Sequence, residues 1–300
     1  MRISAGFAFI ACTFIWGTTW LAIKFGYGGL DAVWGASLRF LLAGIILLPI
    51  VLGMKIPLPK GRRQWSVAAF AGVAMFAIDY GLIYWGEQFL SSGLTAILFA
   101  TMPLFVAIIA VIVIPSERMT PMHAAGIAIG LGGLFIIFFP DLRTGTSSIW
   151  PAVAIVLSAV AAAATSVVVR RWGRDLHPLS LNATAMLLGG SILALASLAL
   201  GETPGLPSTQ QAWLSLLYLV AFGSILSFIL YWNLLRQWPA HRAGLIPIAT
   251  PVVAVITGFV LNDEVLTLYQ WLGSAIVILG VGVSLLPTAS RAPAPTATAK

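Results

Sequence analysis

Among the 16 basic and 9 acidic side chains of this 300-residue chain, Arg39 and Asp79 stand out because each lies deep inside a long apolar run. An ionisable group in hydrocarbon is expensive, so its default reading is functional, with a named partner. Arg39 follows Asp31 by eight residues, roughly 12 Å of helix at 1.5 Å per residue. Asp79 precedes Gln88 by nine, roughly 13 Å from the same side. Equal depth permits an intramembrane charge pair between Arg39 and Asp79. Two readings stay open: the pair ties two helices together and neutralises both charges, or Asp79 faces a cavity and meets an ammonium or a proton while Arg39 holds a carboxylate. Lys24 and Glu87 lie nearer the ends of their runs, where a long side chain reaches water.

Aromatic residues supply the second set of candidates. Trp16, Thr19 and Trp20 are spaced to share one helical face in the middle of a run. Tyr80 is beside Asp79 and four residues before Tyr84, and Phe99 adds a ring from the next run. Rings with a few hydroxyls suit a planar, partly apolar solute, the rings stacking while polar groups hold its backbone end. Ordinary packing between helices is the competing account of Trp16 and Tyr80. Tyr84, Trp85, Tyr231, Trp232 and Trp238 lie toward run ends, where interfacial belts collect such rings.

Other chemistries lack their residues. The histidines His123, His177 and His241 fall at run ends without metal-ligand spacing, so no metal and no cofactor are expected. A Walker phosphate loop and a Ser/His/Asp set are both missing. The single cysteine, Cys12, cannot form an intramolecular disulfide. A membrane-embedded enzyme, which should gather catalytic groups at one interface, is disfavoured, and so is a sensor, since no soluble signalling domain is visible.

The elements that must position these residues follow from composition. Hydrophobic residues make up 60% and charged residues 8% of the chain, against roughly a quarter charged in soluble domains. Such a chain must place its side chains in lipid, where every backbone amide must be paired internally. The long runs decide for helices, so the fold expected is an all-α integral membrane protein. At about 20 residues per span, runs near 4–26, 31–53, 65–88, 92–114, 121–139, 149–171, 178–200, 210–235, 241–261 and 268–286 give ten transmembrane helices. The apolar start continues through Trp16-Gly17-Thr18-Thr19-Trp20 and reads as a retained first span. The Ala/Pro/Thr-rich segment 288–300 reads as a disordered tail.

With the N-terminus inside, 13 of the 16 basic residues fall in cytoplasmic segments, including Lys55, Lys60, Arg62, Arg63, Arg170, Arg171 and Arg174. Both termini are then cytoplasmic. The net charge of +7 is thereby a topology signal, and no nucleic-acid partner is called for. The expected partners are membrane lipid and a small-molecule substrate, with the monomer as the functional unit.

Internal repetition refines the picture. Pro103 aligns with Pro251 at an offset of 148, and Glu117, Thr120, Gly126 and Gly133 align with Glu264, Thr267, Gly273 and Gly280 at 147. Residues 1–147 and 148–287 thus form two five-helix repeats. Five is odd, and the basic loops alternate with opposite parity in the two copies, so the repeats are inverted. Gly93 and Pro103 in the first copy, with Gly244, Pro247 and Pro251 in the second, break corresponding helices, the pattern of transport sites and their hinges.

The Trp16-Gly17-Thr18-Thr19-Trp20 stretch with Lys24, the Arg39-Phe40-Leu41-Leu42-Ala43-Gly44 run, and the series Pro103, Glu117-Arg118, Gly126 to Gly133 resemble the EamA domain of the drug/metabolite transporter superfamily. The second copy repeats the later part without a clear Trp-Gly-Thr stretch. The resemblance covers nearly the whole chain, which is similar to the bacterial aromatic amino-acid exporters of that superfamily. It implies a bacterial inner-membrane protein exporting amphipathic metabolites, aromatic or large apolar amino acids foremost, by alternating access. The rival within the class is a multidrug or metabolite exporter with proton antiport at Asp79.

Overall fold

The computed structural model describes residues 4–114, 120–144, 149–237, 246–284 and 286. Every regular element among them is helical: α1 (Ala5–Gly26), α2 (Ala32–Gly53), α3 (Gly61–Gly86), α4 (Ser92–Val113), α5 (Pro121–Thr144), α6 (Trp150–Trp172), α7 (Pro178–Ala199), α8 (Gln210–Tyr218, Leu219–Leu226 and Ser227–Gln237), α9 (Ile246–Asn262) and α10 (Leu268–Ser284). Seven of these, α1 to α4 and α6 to α8, contain a stretch long and apolar enough to cross a membrane. The other three offer shorter apolar stretches at residues 124–137, 249–262 and 268–283. Helix α3 begins at Gly61, four residues before the expected span, because Arg62 and Arg63 occupy an exposed helical turn ahead of the apolar run. The segment 288–300, and with it the expected tail, lies outside the described residues.

Apolar residues cover both faces of these helices, so polarity does not tell inside from outside. On α1, Phe7, Ile10 and Phe14 are exposed while Ala8, Cys12 and Ile15 are buried. An all-round apolar helix is read as a membrane span. Size then sets the packing, since small residues let backbones approach. A Cβ on Gly133 would sit 2.7 Å from the Gly273 carbonyl oxygen, and one on Gly280 would sit 2.7 Å from that of Gly126, so α5 and α10 meet through reciprocal glycines. Gly44 and Gly190 perform the same service between α2 and α7, against Leu187 and Leu41.

Helix neighbours occur in exchanged sets. α1 packs on α9 as α6 packs on α4, α3 on α7 as α8 on α2, and α3 on α6 as α8 on α1, while α2 with α7 and α5 with α10 each form one pair. Two helices also share an unusual local winding. α3 widens to a π-helix over Gly72–Asp79, and α8 does so over Leu219–Leu226. The two segments are 147 positions apart, the offset already seen between Glu117 and Glu264.

The connections gather at two ends. At one, the Glu202 carboxylate accepts from Val33 N at 3.0 Å and Trp34 N at 2.8 Å, capping α2, and Ser208 N donates to Gly29 O at 3.0 Å. At the other, Arg63 and Gln64 of α3 reach Asp175, between α6 and α7, each at 2.9 Å. The Gln64 amide hydrogen bond, with Arg63 beside it, holds this exposed carboxyl below the usual carboxylate range.

Candidate functional site

The π-helical segments are where the candidate residues converge. A π-turn leaves a helix locally under-bonded and is frequent at functional sites. Asp79 closes the α3 segment, and Gly223 and Ser224 lie inside that of α8. Arg39, 1% exposed, reaches across from α2: its Nε donates to Ser224 Oγ at 2.9 Å and its Nη2 to the Gly223 carbonyl at 3.1 Å. Glycine is required at 223, because a Cβ there would lie 2.9 Å from Thr19 Cγ2 and 3.2 Å from Arg39 Nη2. The flat guanidinium also rests on two rings, 4.9 Å from the Tyr80 centroid and 5.1 Å from that of Phe40. Such contacts contribute about 0.5–2 kcal/mol each, more where water is excluded.

Arg39 and Asp79 are therefore not an ion pair. Among the described residues the one ion pair is Arg63 with Asp175, at the exposed end. The two charges do share one layer, as their equal depth requires, and each is within electrostatic reach of the other. Depth alone could not foresee that a carbonyl and a hydroxyl in a π-turn, with two ring faces, would take the guanidinium first. Arg39 Nη1 has no hydrogen-bond partner, though the Tyr84 and Tyr80 hydroxyls lie near the guanidinium, and Oδ1 of Asp79, which is 2% exposed, has none either. Ser158 of α6 faces the Asp79 carboxyl and brings a polar neighbour to the site from a third helix.

Rings surround this layer. Tyr80 stacks on Phe76 at 6.3 Å with 4° between planes and meets Phe40 edge-on at 4.6 Å. Phe76 contacts Phe228 at 5.7 Å, and Phe228 contacts Trp16 at 5.6 Å. The sequence marked Phe40 only as part of the run after Arg39 and did not single out Phe76 or Phe228, because isolated phenylalanines in an apolar run carry no signal. Gly223-Ser224, a small polar break within apolar α8, was the feature that could have pointed here.

The α1 candidates diverge. Trp16 turns to α8, against Phe228 and Tyr231 at 5.6 and 5.1 Å, whereas Trp20 turns to α4, against Phe99 at 5.4 Å. Neither indole N–H has a partner. Thr19, between them, donates to the Trp16 carbonyl at 2.7 Å. Tyr84, which its position near a run end assigned to an interfacial belt, is 4% exposed; its hydroxyl is unpartnered and lies near Arg39. Its neighbour Trp85 is 38% exposed and fits the belt. Tyr84 also walls a narrow crevice with Ile23, Tyr27, Gly35 and Leu216, at the end of the molecule where Glu202 caps α2.

The hinge candidates are placed unevenly. Helix α4 breaks between Phe99 and Met102, just ahead of Pro103, which cannot donate back to the preceding turn. In α9 the helix instead runs unbroken through Pro251, and the freed Pro247 carbonyl accepts from Thr250 Oγ1 at 3.3 Å. Gly93 opens α4, where Glu264 Oε2 accepts from Ser92 N at 2.8 Å, Ser92 Oγ at 2.7 Å and Gly93 N at 3.4 Å. Gly244 lies outside the described residues. No cluster of three metal-ligating side chains occurs among the described residues.

The sequence model of the EamA-like transporter family matches residues 3–139 and again 149–286 of this chain. The uncharacterized inner membrane transporter YedA of Escherichia coli is 32% identical, over 91% of this chain and 88% of its own. Protein PagO of Salmonella typhimurium is 27% identical, over 97% of each chain. A protein known from its crystal structure, 19% identical, superposes with a TM-score of 0.66 over 95% of this chain and 97% of that one, a likeness of fold.

Proposed function

Because this chain belongs to the EamA-like transporter family, we propose that it is an inner-membrane exporter of zwitterionic, ring-bearing or large apolar amino acids and kindred amphipathic metabolites, working as a monomer by alternating access. The observation carrying this reading is the pairing of one free cationic donor, Arg39 Nη1, with one free carboxyl oxygen, Asp79 Oδ1, inside a single aromatic layer. An α-amino acid offers the complement: a carboxylate for Arg39, an ammonium for Asp79 and a side chain for Tyr80, Phe76 and Trp16. Both free atoms are buried, and an unsatisfied buried polar group costs roughly 1–3 kcal/mol, so a solute that satisfies both gains what the empty site forgoes.

The cycle follows from ten spans arranged as two inverted repeats, residues 1–147 and 148–287, with both termini cytoplasmic. Three observations support that arrangement: the paired π-segments 147 positions apart, the exchanged helix contacts, and the twice-matching family model. Solute enters from the cytoplasm between the repeats. Bending at Gly93 and Pro103, and at Gly244, Pro247 and Pro251, then closes the inner mouth and opens the outer one. Counterflow in liposomes, with the twenty amino acids as competitors, tests the reading. Competition by tryptophan, phenylalanine, tyrosine or leucine is expected, and a purified protein that exchanges none of the twenty would end it.

The free Asp79 oxygen also suits a second cargo, a cationic or neutral drug-like solute exchanged for a proton. Transport by Asp79→Asn across a pH series separates the two, since an amino-acid facilitator keeps the shape of its pH profile.

A further inference from the structure

A second buried carboxyl stands apart from the Arg39 layer. Glu87 ends α3 and would be expected to reach water, yet it is 0% exposed and neither carboxyl oxygen has a hydrogen-bond partner. Lys24 of α1 lies in electrostatic reach of it but donates to the Glu87 carbonyl at 3.4 Å and to the Leu90 carbonyl rather than to the carboxyl. The neighbouring carboxyl, Glu264 from the α9–α10 connection, is bonded throughout: Oε2 caps α4 and Oε1 accepts from Asn262 at 3.0 Å. The remaining charged or titratable groups facing Glu87 are Tyr27 of α1, Arg39 of α2 and Tyr84 of α3 itself.

We propose that Glu87 is a proton-binding site coupled to opening of this end of the molecule: the sealed arrangement seen here holds the proton on Glu87, and opening releases it to the adjoining water. The inference rests on the transporter reading but not on the choice of solute. A carboxylate sealed from water with no donor is strongly disfavoured, whereas the neutral acid is tolerated. When Lys24 and the Glu264 cap draw apart, water reaches Glu87, and the bared carboxylate gains hydration and the Lys24 ammonium. The ligand is a proton and not a metal ion, because no group of three His, Cys, Asp or Glu side chains surrounds Glu87 among the described residues and the neighbouring Lys24 ammonium disfavours a second cation. High pH at this face therefore favours the open end, and low pH the sealed one.

The test needs no solute. In a Cys12→Ser background, spin labels at Gln88→Cys and Val265→Cys report the separation of α3 from the α9–α10 connection in liposomes by pulsed spin resonance. A short-distance population is expected at low pH, with a longer one growing as pH rises. Glu87→Gln should stay in the short population throughout, Glu87→Asp should keep the pH response, and Lys24→Met should move its onset at least about one unit higher. At a pH where the short population dominates, the infrared spectrum should show the carbonyl stretch of an unbonded carboxylic acid that Glu87→Gln lacks. One distribution at every pH, an unchanged response in Glu87→Gln, or no such band would overturn the proposal. Failure of the amino-acid competition assay would leave these results standing, so the two readings fail separately.

Discussion

A buried arginine is stable only when its fork is filled, and in this protein the filling is incomplete by one nitrogen. Arg39 is held by Ser224, by the Gly223 carbonyl and by the rings of Phe40 and Tyr80. Lysine would keep the charge and lose the planar geometry that uses all four contacts. Arg39→Lys should therefore reduce amino-acid counterflow at least about tenfold, the worth of roughly one charge-assisted hydrogen bond, while the protein still elutes as a single species. Gly223→Ala pushes a methyl against Arg39 Nη2 and Thr19 Cγ2, an overpacking worth about 1–3 kcal/mol. A lowered Tm should accompany its loss of transport. At this scale the sequence was partly legible. The cost of charge in lipid marked Arg39 and Asp79, and depth counting put them in one layer. Their partners were hidden because Gly223 and Ser224 become ligands only through the winding of α8, a property no single residue displays.

Helix ends and breaks carry the next set of consequences. Glu264 caps α4 from a connection far along the chain, with Ser92 and Gly93 as donors. Removing a cap costs about 1 kcal/mol, so Glu264→Ala should lower Tm modestly, by an amount thermal unfolding in detergent can measure. Pro103 acts differently. The break before it separates two helical halves of α4, and Pro103→Ala restores a donor that lets them join. That variant should match or exceed the parent in Tm while transporting more slowly; equal transport rates would remove α4 from the list of moving parts. For the seven helices long and apolar enough to cross a membrane, the boundaries were readable to within a few residues, since apolar run length is a direct physical requirement of lipid. Pro251 leaves α9 unbroken, because a neighbouring hydroxyl, Thr250, can satisfy the carbonyl that proline leaves free. The π-segments left no compositional trace.

For the molecule as a whole, the exchanged helix pairs and the matched π-segments are what the proposed pair of inverted bundles requires. With that arrangement, impermeant thiol reagents applied to intact cells should label cysteines at Gly205 but not at Lys55 or Ser4, and permeabilisation should expose the latter two. A duplication was legible in the amino-acid order through Pro and Glu motifs offset by 148 and 147 residues, and the family model likewise matches the chain twice, at 3–139 and 149–286. Which solute is carried was not visible, since the proposed selectivity rests on single side-chain atoms of Arg39 and Asp79.

The claim on which the account turns is that Arg39 Nη1 and Asp79 Oδ1 together select a zwitterion. The direct measurement is phenylalanine counterflow in liposomes, challenged with the matching amine, which lacks the carboxylate, and the matching acid, which lacks the ammonium. The account predicts that neither analogue competes as well as phenylalanine, and that Asp79→Asn loses the preference for phenylalanine over the acid. Equal competition by all three, unaltered by Asp79→Asn, would contradict it.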